Sequence, residues 1–202
     1  YYAYYTKTYN LDYMKKDKFL AIGVMSGTSF DGIDISLISS NGQKYFRPIK
    51  SSFCKFSLKI RKKIFQIAEN FDENQYRLGF FSTLESEITR EYVKSIKSFI
   101  LNNNLKRIDL IGIHGQTIFH NPQKKISLQL CDANLLAKEL KIKIVFDFRQ
   151  NDLKFGGEGA PLVPIFHKML VSHLKLKGNV IFINLGGISN LTYISSKGDL
   201  KA

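Results

Sequence analysis

A chain of 202 residues can form one generous domain, or one domain and part of another, and a composition of 44% hydrophobic and 23% charged residues is that of a globular protein, which excludes disordered, collagen-like and coiled-coil classes. The formal net charge of +13 raises nucleic acid, anionic lipid and polyanionic substrates as partners. Its distribution argues against the first two, because lysines are scattered over the whole chain, the longest basic cluster is Lys59, Arg61, Lys62 and Lys63, and no nucleic-acid module accompanies it.

The opening residues 1–13 are aromatic and polar with no continuous apolar run, and no later stretch approaches the roughly 18 apolar residues of a membrane span. Cys54 and Cys131 lie outside any CxxC or paired zinc spacing, as expected of two reduced thiols in a cytoplasmic protein. From Phe19 to Val24 an apolar run predicts a strand that enters a glycine-rich turn, Met25 to Asp34. Ile35 to Ser39 reads as the returning strand, and Asn41-Gly42 as a hairpin turn into a third antiparallel strand. Two helical stripes follow, Ile60, Ile64, Ile67 and Phe71, then Leu78, Phe81, Leu84, Ile88, Tyr92, Ile96 and Phe99. Ile108 to Ile113 predicts a buried strand, Ala133 to Leu140 a helix and Lys143 to Phe148 another strand, an alternation that implies a parallel central region. Gly156 to Gly159 is a glycine loop, after which Pro161 suits the first turn of a helix through Val163, Phe166, His167 and Leu170. Beyond a polar connector, Lys175 to Asn179, the runs Val180 to Asn184 and Asn190 to Ser195 read as two strands that weakly repeat the opening hairpin.

Four segments have the residue types for chemistry. The turn Gly27, Thr28, Ser29, Phe30, Asp31, Gly32, Ile33, Asp34 packs backbone N–H groups, two hydroxyls and two carboxylates together, which suits phosphate oxygens and a magnesium ion held directly or through water. It is neither a Walker loop nor a GxGxxG helix opening, and a plain polar hairpin is the alternative. His114, Gln116 and Thr117 follow a buried strand, where ligand sites of open α/β sheets gather, and they suit sugar hydroxyls or simple polar packing. His120 adds a second imidazole to His114, but no third ligand falls at a familiar metal interval. Asp147 and Asp152 flank Arg149, an arrangement that can orient and deprotonate a hydroxyl or water, or can be a structural Asp-Arg pair. The glycine loop, with Gly157 and Gly159, can offer N–H groups and a helix start to an anion or sugar, or can be a tight turn.

Taken in order, Ile22 to Asp34 (IGVMSGTSFDGID), His114 to Thr117 (HGQT), Asp147 to Arg149 (DFR), Gly156 to Pro164 (GGEGAPLVP) and Asn184 to Asn190 (NLGGISN) resemble the signatures of the anhydro-N-acetylmuramic acid kinase family. The resemblance implies an α/β, actin-like ATPase fold of the ribonuclease H-like kind. Its first lobe, with a mixed central sheet and flanking helices, would span residues 19–176 after an extension, 1–18. Residues 177–202 would be the first hairpin of a second lobe left incomplete at Ala202. It further implies a phosphotransferase that uses ATP and Mg²⁺ to convert 1,6-anhydro-N-acetylmuramic acid, with hydrolytic opening of the anhydro ring, to N-acetylmuramic acid 6-phosphate in peptidoglycan recycling. In that family a base activates the water that opens the ring while the sugar 6-oxygen takes the γ-phosphate.

By the same resemblance Gly27 to Asp34 would hold ATP phosphates, with Asp31 or Asp34 contacting magnesium through water, and Gly186 and Gly187 would add nucleotide contacts. Asp152 would be the base with Asp147 as fallback, Asp147 otherwise supporting Arg149, and His114, Gln116, Thr117, Gly157 and Gly159 would meet the sugar. Three positions depart from the family pattern: Glu158 replaces a glutamine, Cys131 a glycine and Phe119 a tryptophan. A chain of this length is expected to need the missing lobe, or a homo-oligomer, for activity. The alternative is a non-catalytic sugar- or muropeptide-binding module.

Overall fold

A computed structural model of the chain describes residues 2–3, 17–186 and 189–202. The described residues belong to two compact units. The first holds the chain to His120 together with Leu128–Phe148, and the second holds Asn121–Ser127 together with Arg149–Ala202.

The first unit starts from a short strand β1 (Tyr2–Ala3) and a three-strand antiparallel meander, β2 (Phe19–Ser26), β3 (Gly32–Ser40) and β4 (Phe46–Lys55). Ile22, Val24 and Ser26 of β2, and Ile33, Ile35 and Leu37 of β3, alternate with exposed positions, the period-two pattern of a sheet covered on one face. The Asn41-Gly42 hairpin forms as expected, with Asn41 Oδ1 accepting the N–H groups of Gln43 and Tyr45 and Gly42 at φ +71°. Helices α1 (Leu58–Glu69), α2 (Glu73–Arg77) and α3 (Ser82–Asn102) follow. Ser57 and Asp72 cap the first two by accepting backbone N–H groups from Ile60 and Asn74. The second predicted stripe is shorter than expected at its start: Gly79, at φ +77°, breaks the chain between α2 and α3, and Leu78 is left 75% exposed while Phe81 and Leu84 are buried.

β5 (Leu110–Asn121) runs parallel to β2 in the register Ile22↔Ile111 and Val24↔Ile113, and on its other side it pairs in parallel with β7 (Ile144–Val145). β7 in turn pairs antiparallel with β1. β6 (Ile126–Leu130) also pairs with β5, and α4 (Ala133–Leu140) starts at Asp132, whose carboxylate caps Leu135 N–H. The sheet order β1-β7-β5-β2-β3-β4 is therefore mixed, as expected. Two expectations are corrected. β5 does not stop at Ile113 but continues through the HGQT segment into a hairpin with β6, which the short apolar run concealed. The last parallel strand is two residues long rather than six, because helix α5 (Phe148–Lys154) begins at its far end. α3 presses Ile88, Tyr92 and Ile96, all fully buried, against the covered face, and Asp109 fixes the start of the sheet by accepting the Leu20 N–H at 2.7 Å.

The second unit contains the rest of α5, the glycine loop, α6 (Pro164–His173) and a three-strand antiparallel sheet of β8 (Val180–Asn184), β9 (Asn190–Ile194) and β10 (Leu200–Lys201). Pro164, not Pro161, takes the first-turn position of α6; Pro161 follows a cis peptide bond three residues earlier. His167 of α6 stacks on Phe182 at 4.4 Å and is hydrogen-bonded to the buried Thr192 at 2.9 Å, which ties α6 to one face of this sheet. On the other face the facing pair Ile183 and Leu191 stays more than half exposed.

Gly32 sits where β3 leaves its turn and passes closest to β4. A Cβ there would collide with the Cys54 carbonyl and stand 2.7 Å from the Phe53 ring. Gly32→Ala is expected to destabilise the chain by about 1–3 kcal/mol through forced separation of the two strands, read as a lower urea midpoint with little change in slope.

Candidate functional site

In the first unit the turn between β2 and β3 folds on itself. Phe30 N–H donates to the Gly27 carbonyl at 3.3 Å, the Ser29 hydroxyl donates to Asp31 Oδ1 at 2.7 Å, and Phe56 N–H donates to the Asp31 carbonyl at 3.1 Å. Thr28 and Ser29 are left exposed at its tip. Phe30 has φ +56°, uncommon for a bulky residue, and its ring lies edge-on to Phe65 of α1 at 6.4 Å. α1 thereby supports the turn, and a cleft of about 490 Å³ opens between them, lined by Thr28, Ser29, Phe30, Arg61, Lys62 and Phe65 among others. Arg61 and Lys62 belong to the longest basic cluster of the sequence, so part of that cluster borders the turn rather than plain solvent.

Asp31 and Asp34 are both exposed. Burial, and after it the charge of Asp31, holds the Asp34 carboxyl above the ordinary carboxylate range. The carboxylate oxygens of Asp31 and Asp34 are donors of the hard kind that a divalent cation takes. Gly32 and Ile33 are buried within the strand, so they can offer a ligand only their backbone.

At the end of the parallel part of β5, His114 Nδ1–H donates to the Gly115 carbonyl at 2.9 Å, and both His114 and Thr117 are partly exposed. Gln116 behaves differently. Its side chain is wholly buried, and Nε2 donates to the carbonyls of Gly27 at 3.1 Å and Thr117 at 3.2 Å. The nearby α3 residues Glu85 and Thr89 hold the turn after β6: Cys131 N–H donates to Glu85 Oε1 at 3.2 Å and Asp132 N–H to Thr89 Oγ1 at 2.9 Å. Burial pushes the Glu85 carboxyl up and makes the Cys131 thiol a very weak acid, so Cys131 is a packing residue. Phe119 stacks on Phe71 at 4.2 Å, which keeps an aromatic ring at that position. Asp147, at φ +58°, precedes α5, and its charge, after burial and Glu85, raises the Tyr76 phenol.

In the second unit, Arg149 and Asp152 stand three residues apart on α5 and therefore share a face. Both grip the same residue of the glycine loop. Arg149 Nη1 donates to the Gly159 carbonyl at 2.6 Å, and Gly159 N–H donates to Asp152 Oδ2 at 2.7 Å. Desolvation lowers the Arg149 pKa from a very high starting point, and the side chain stays charged. Gly157 passes so close over Asp152 that a Cβ would lie 2.5 Å from Cγ, so a side chain there would push the carboxylate aside. Asp152 and Glu158 are both exposed. Gly186 is exposed after β8, and Gly187, expected to contact nucleotide, lies outside the described residues. Among the described residues no group of three or more His, Cys, Asp or Glu is placed to hold a metal, and no helix is long and apolar enough to cross a membrane.

An antiparallel meander with a polar first turn, joined in parallel to a central strand and flanked by helices, is the first-lobe architecture of the sugar-kinase and actin-like ATPase class. Within that class, the model of the anhydro-N-acetylmuramic acid kinase family matches residues 19–201, and the chain belongs to this family. Curated relatives named anhydro-N-acetylmuramic acid kinase include that of Pelagibacter ubique, 41% identical over 91% of this chain and 50% of its own length. Those of Brucella suis and Bradyrhizobium diazoefficiens are 39% and 36% identical, each over 90% of this chain and 51% of their own. The chain thus spans about half the length of the curated relatives it matches.

The sequence singled out Arg149, Asp152, Gly157 and Gly159, and the structure brings all four together. It missed Phe65, which carries no signal beyond its place on a helix, Ser26, which the sequence places in the turn and which is instead the buried last residue of β2, and the hydroxyl of Tyr92, which periodicity assigns to the core. The double grip on Gly159 is directly testable. In Arg149→Ala, amide exchange across residues 155–161 is expected to accelerate about tenfold or more, the loss of one charge-assisted hydrogen bond, while β8 and β9 exchange as before.

Proposed function

We propose that this chain supplies the phosphate turn and sugar-side loops of a kinase that transfers phosphate from Mg-ATP to 1,6-anhydro-N-acetylmuramic acid. The products are ADP and N-acetylmuramic acid 6-phosphate, the anhydro ring being opened by water, and the reaction serves peptidoglycan recycling. The supporting observation is the carboxylate of Asp152, held at one oxygen by Gly159 and exposed beside the glycine loop, in a chain of this family. In this reading residues 19–176 form the first lobe and 177–202 begin the second, which completes the nucleotide enclosure with Gly186 and Gly187. The site faces cytoplasm.

The chain's own residues divide the work. Asp152 is the base that takes a proton from the attacking water as that water adds to the anomeric carbon. The departing 6-oxygen accepts the phosphoryl group, so the ring C–O bond breaks as the new O–P bond forms. Arg149 positions Asp152 by fixing the loop that covers it, and Asp147, just before α5, is the fallback base. The proposed sugar contacts are His114 and Thr117 in the first unit and, independently, Gly157 and Gly159 in the second. Backbone N–H groups within Gly27 to Asp34 that the fold leaves unpaired, with the Thr28 and Ser29 hydroxyls, donate to phosphate oxygens. Asp31 or Asp34 would hold magnesium through water, where the ion would supply positive charge against the phosphates.

In the full-length enzyme run in ¹⁸O-water, label is expected at the anomeric hydroxyl at a rate beyond that of hemiacetal exchange in the free product. Unlabelled product would overturn the hydrolytic half, and sugar binding without any turnover would favour a binding module. Asp152→Asn is expected to lower kcat about 100- to 10,000-fold with little change in sugar affinity. An active Asp152→Asn beside a dead Asp147→Asn would move the base to Asp147. Thr28→Ala with Ser29→Ala is expected to raise KM for ATP more than KM for sugar; an unchanged ATP constant would return the turn to a plain polar hairpin.

A further inference from the structure

We infer that Gln116 is a positioning residue of the phosphate turn rather than a sugar contact, and that with Ser26 and Tyr92 it forms a buried polar platform that sets where the turn stands. The inference rests on the reading of that turn as the nucleotide-phosphate site.

The geometry begins with a break in register. β2 and β5 pair regularly through Val24↔Ile113, and continuation would place Ser26 opposite Gly115, yet Ser26 pairs with Gln116. One extra residue has entered β5. Gly115, at φ +79°, is the residue that makes the bulge, and a Cβ there would meet the Leu130 carbonyl at 3.1 Å and Cys131 Cβ at 3.2 Å. The effect on facing is visible in burial. Ile111, Ile113 and Gly115 face the core in strict alternation, then Gln116 and Ile118 do, so two consecutive residues point inward. Without the bulge Gln116 would lie on the opposite face of the sheet.

Turned inward, Gln116 is 0% exposed and spends its amide hydrogens on the Gly27 carbonyl, the first of the turn, and on its own neighbour Thr117. Its Oε1 has no partner among the described residues. A buried amide oxygen without a donor is costly, and it is tolerated where the other end of the group holds something in place. One residue before Gly27, the fully buried Tyr92 hydroxyl donates to Ser26 Oγ at 2.9 Å. Tyr92 also packs edge-on against Phe56, whose N–H holds the Asp31 carbonyl at the other end of the turn. α3 and β5 thus fix both ends of the turn from inside the core, and the tip carrying Thr28 and Ser29 is left to the ligand.

The test uses the full-length enzyme with Gln116→Met, which keeps volume and removes the donor, and Tyr92→Phe, which removes one hydroxyl. A positioning role predicts at least a fivefold rise in KM for ATP in each, a sugar KM within twofold of wild type, and faster amide exchange at residues 27–34 with β6 unaffected. A raised sugar KM with an unchanged ATP KM would make Gln116 a sugar contact and overturn the inference, as would unchanged exchange and kinetics in both variants. Should Gln116→Met fail to fold, Tyr92→Phe decides. If Thr28→Ala with Ser29→Ala raises KM for ATP and the platform variants do not, only this inference fails. If neither does, the nucleotide reading of the turn fails with it, while amide exchange still reports whether the platform holds the turn.

Discussion

The parallel pairing of β2 with β5 is the constraint on which the rest of the first unit depends. It joins segments about ninety residues apart, Ile22 to Ile111 and Val24 to Ile113, and the intervening helices must return over the same face to bury that seam. Parallel strands carry their C-terminal ends to one edge of a sheet, and that edge is where α/β proteins gather ligands. The turn after β2 and the HGQT segment of β5 become neighbours for this reason alone. The antiparallel meander contributes differently, by bringing the turn's far end back to β4 and α1, so that Phe65 and Phe56 can hold what β2 presents.

The second unit solves a similar problem with a much smaller device. A glycine loop has few side chains of its own to order it, and fixing its backbone costs about 1–2 kcal/mol of entropy per residue. α5 offsets part of that cost with two side chains at helical i, i+3 spacing, one donating to and one accepting from the same peptide residue, Gly159. The grip orients the acid as much as the loop. One carboxylate oxygen of Asp152 is committed to a backbone donor, so the direction of the other is set by the helix. On the proposed reading of Asp152 as base, a carboxylate fixed in this way needs little reorganisation before proton transfer.

What the sequence made legible follows from which interactions leave a local trace. The β2 and β3 strands, the Asn41-Gly42 turn, helix α4 and the β8–β9 pair all depend on neighbours in the chain, and all are found where residue order put them. The hairpin of β5 and β6 was hidden because its polar half, with His114, Gln116 and Thr117, looks like the end of a strand. Only pairing with β6, a non-local fact, extends it. The inward turn of Gln116 was likewise invisible, since a one-residue bulge reverses facing without altering composition. Arg149 and Asp152 were legible as a pair, but their shared target was not, because it sits beyond the helix in a loop whose path depends on where Gly157 can pass.

The sign of the charges at the turn decides what else a nucleotide would need there. A Walker loop brings a lysine to its phosphates, but this turn brings Asp31 and Asp34, and Asp34 already ionises less readily than usual because of burial and its neighbour. On the proposed reading a triphosphate placed there alone would meet repulsion from both. Arg61 and Lys62 border the cleft, but exposed cations acting through solvent are screened over about 8 Å at physiological salt, so they favour approach more than tight retention. A divalent cation held by Asp31 or Asp34 would offset that repulsion. On this proposed reading, nucleotide binding at the turn would be linked to a divalent cation by electrostatics, with the hydroxyls and N–H groups at the tip left to orient the phosphates.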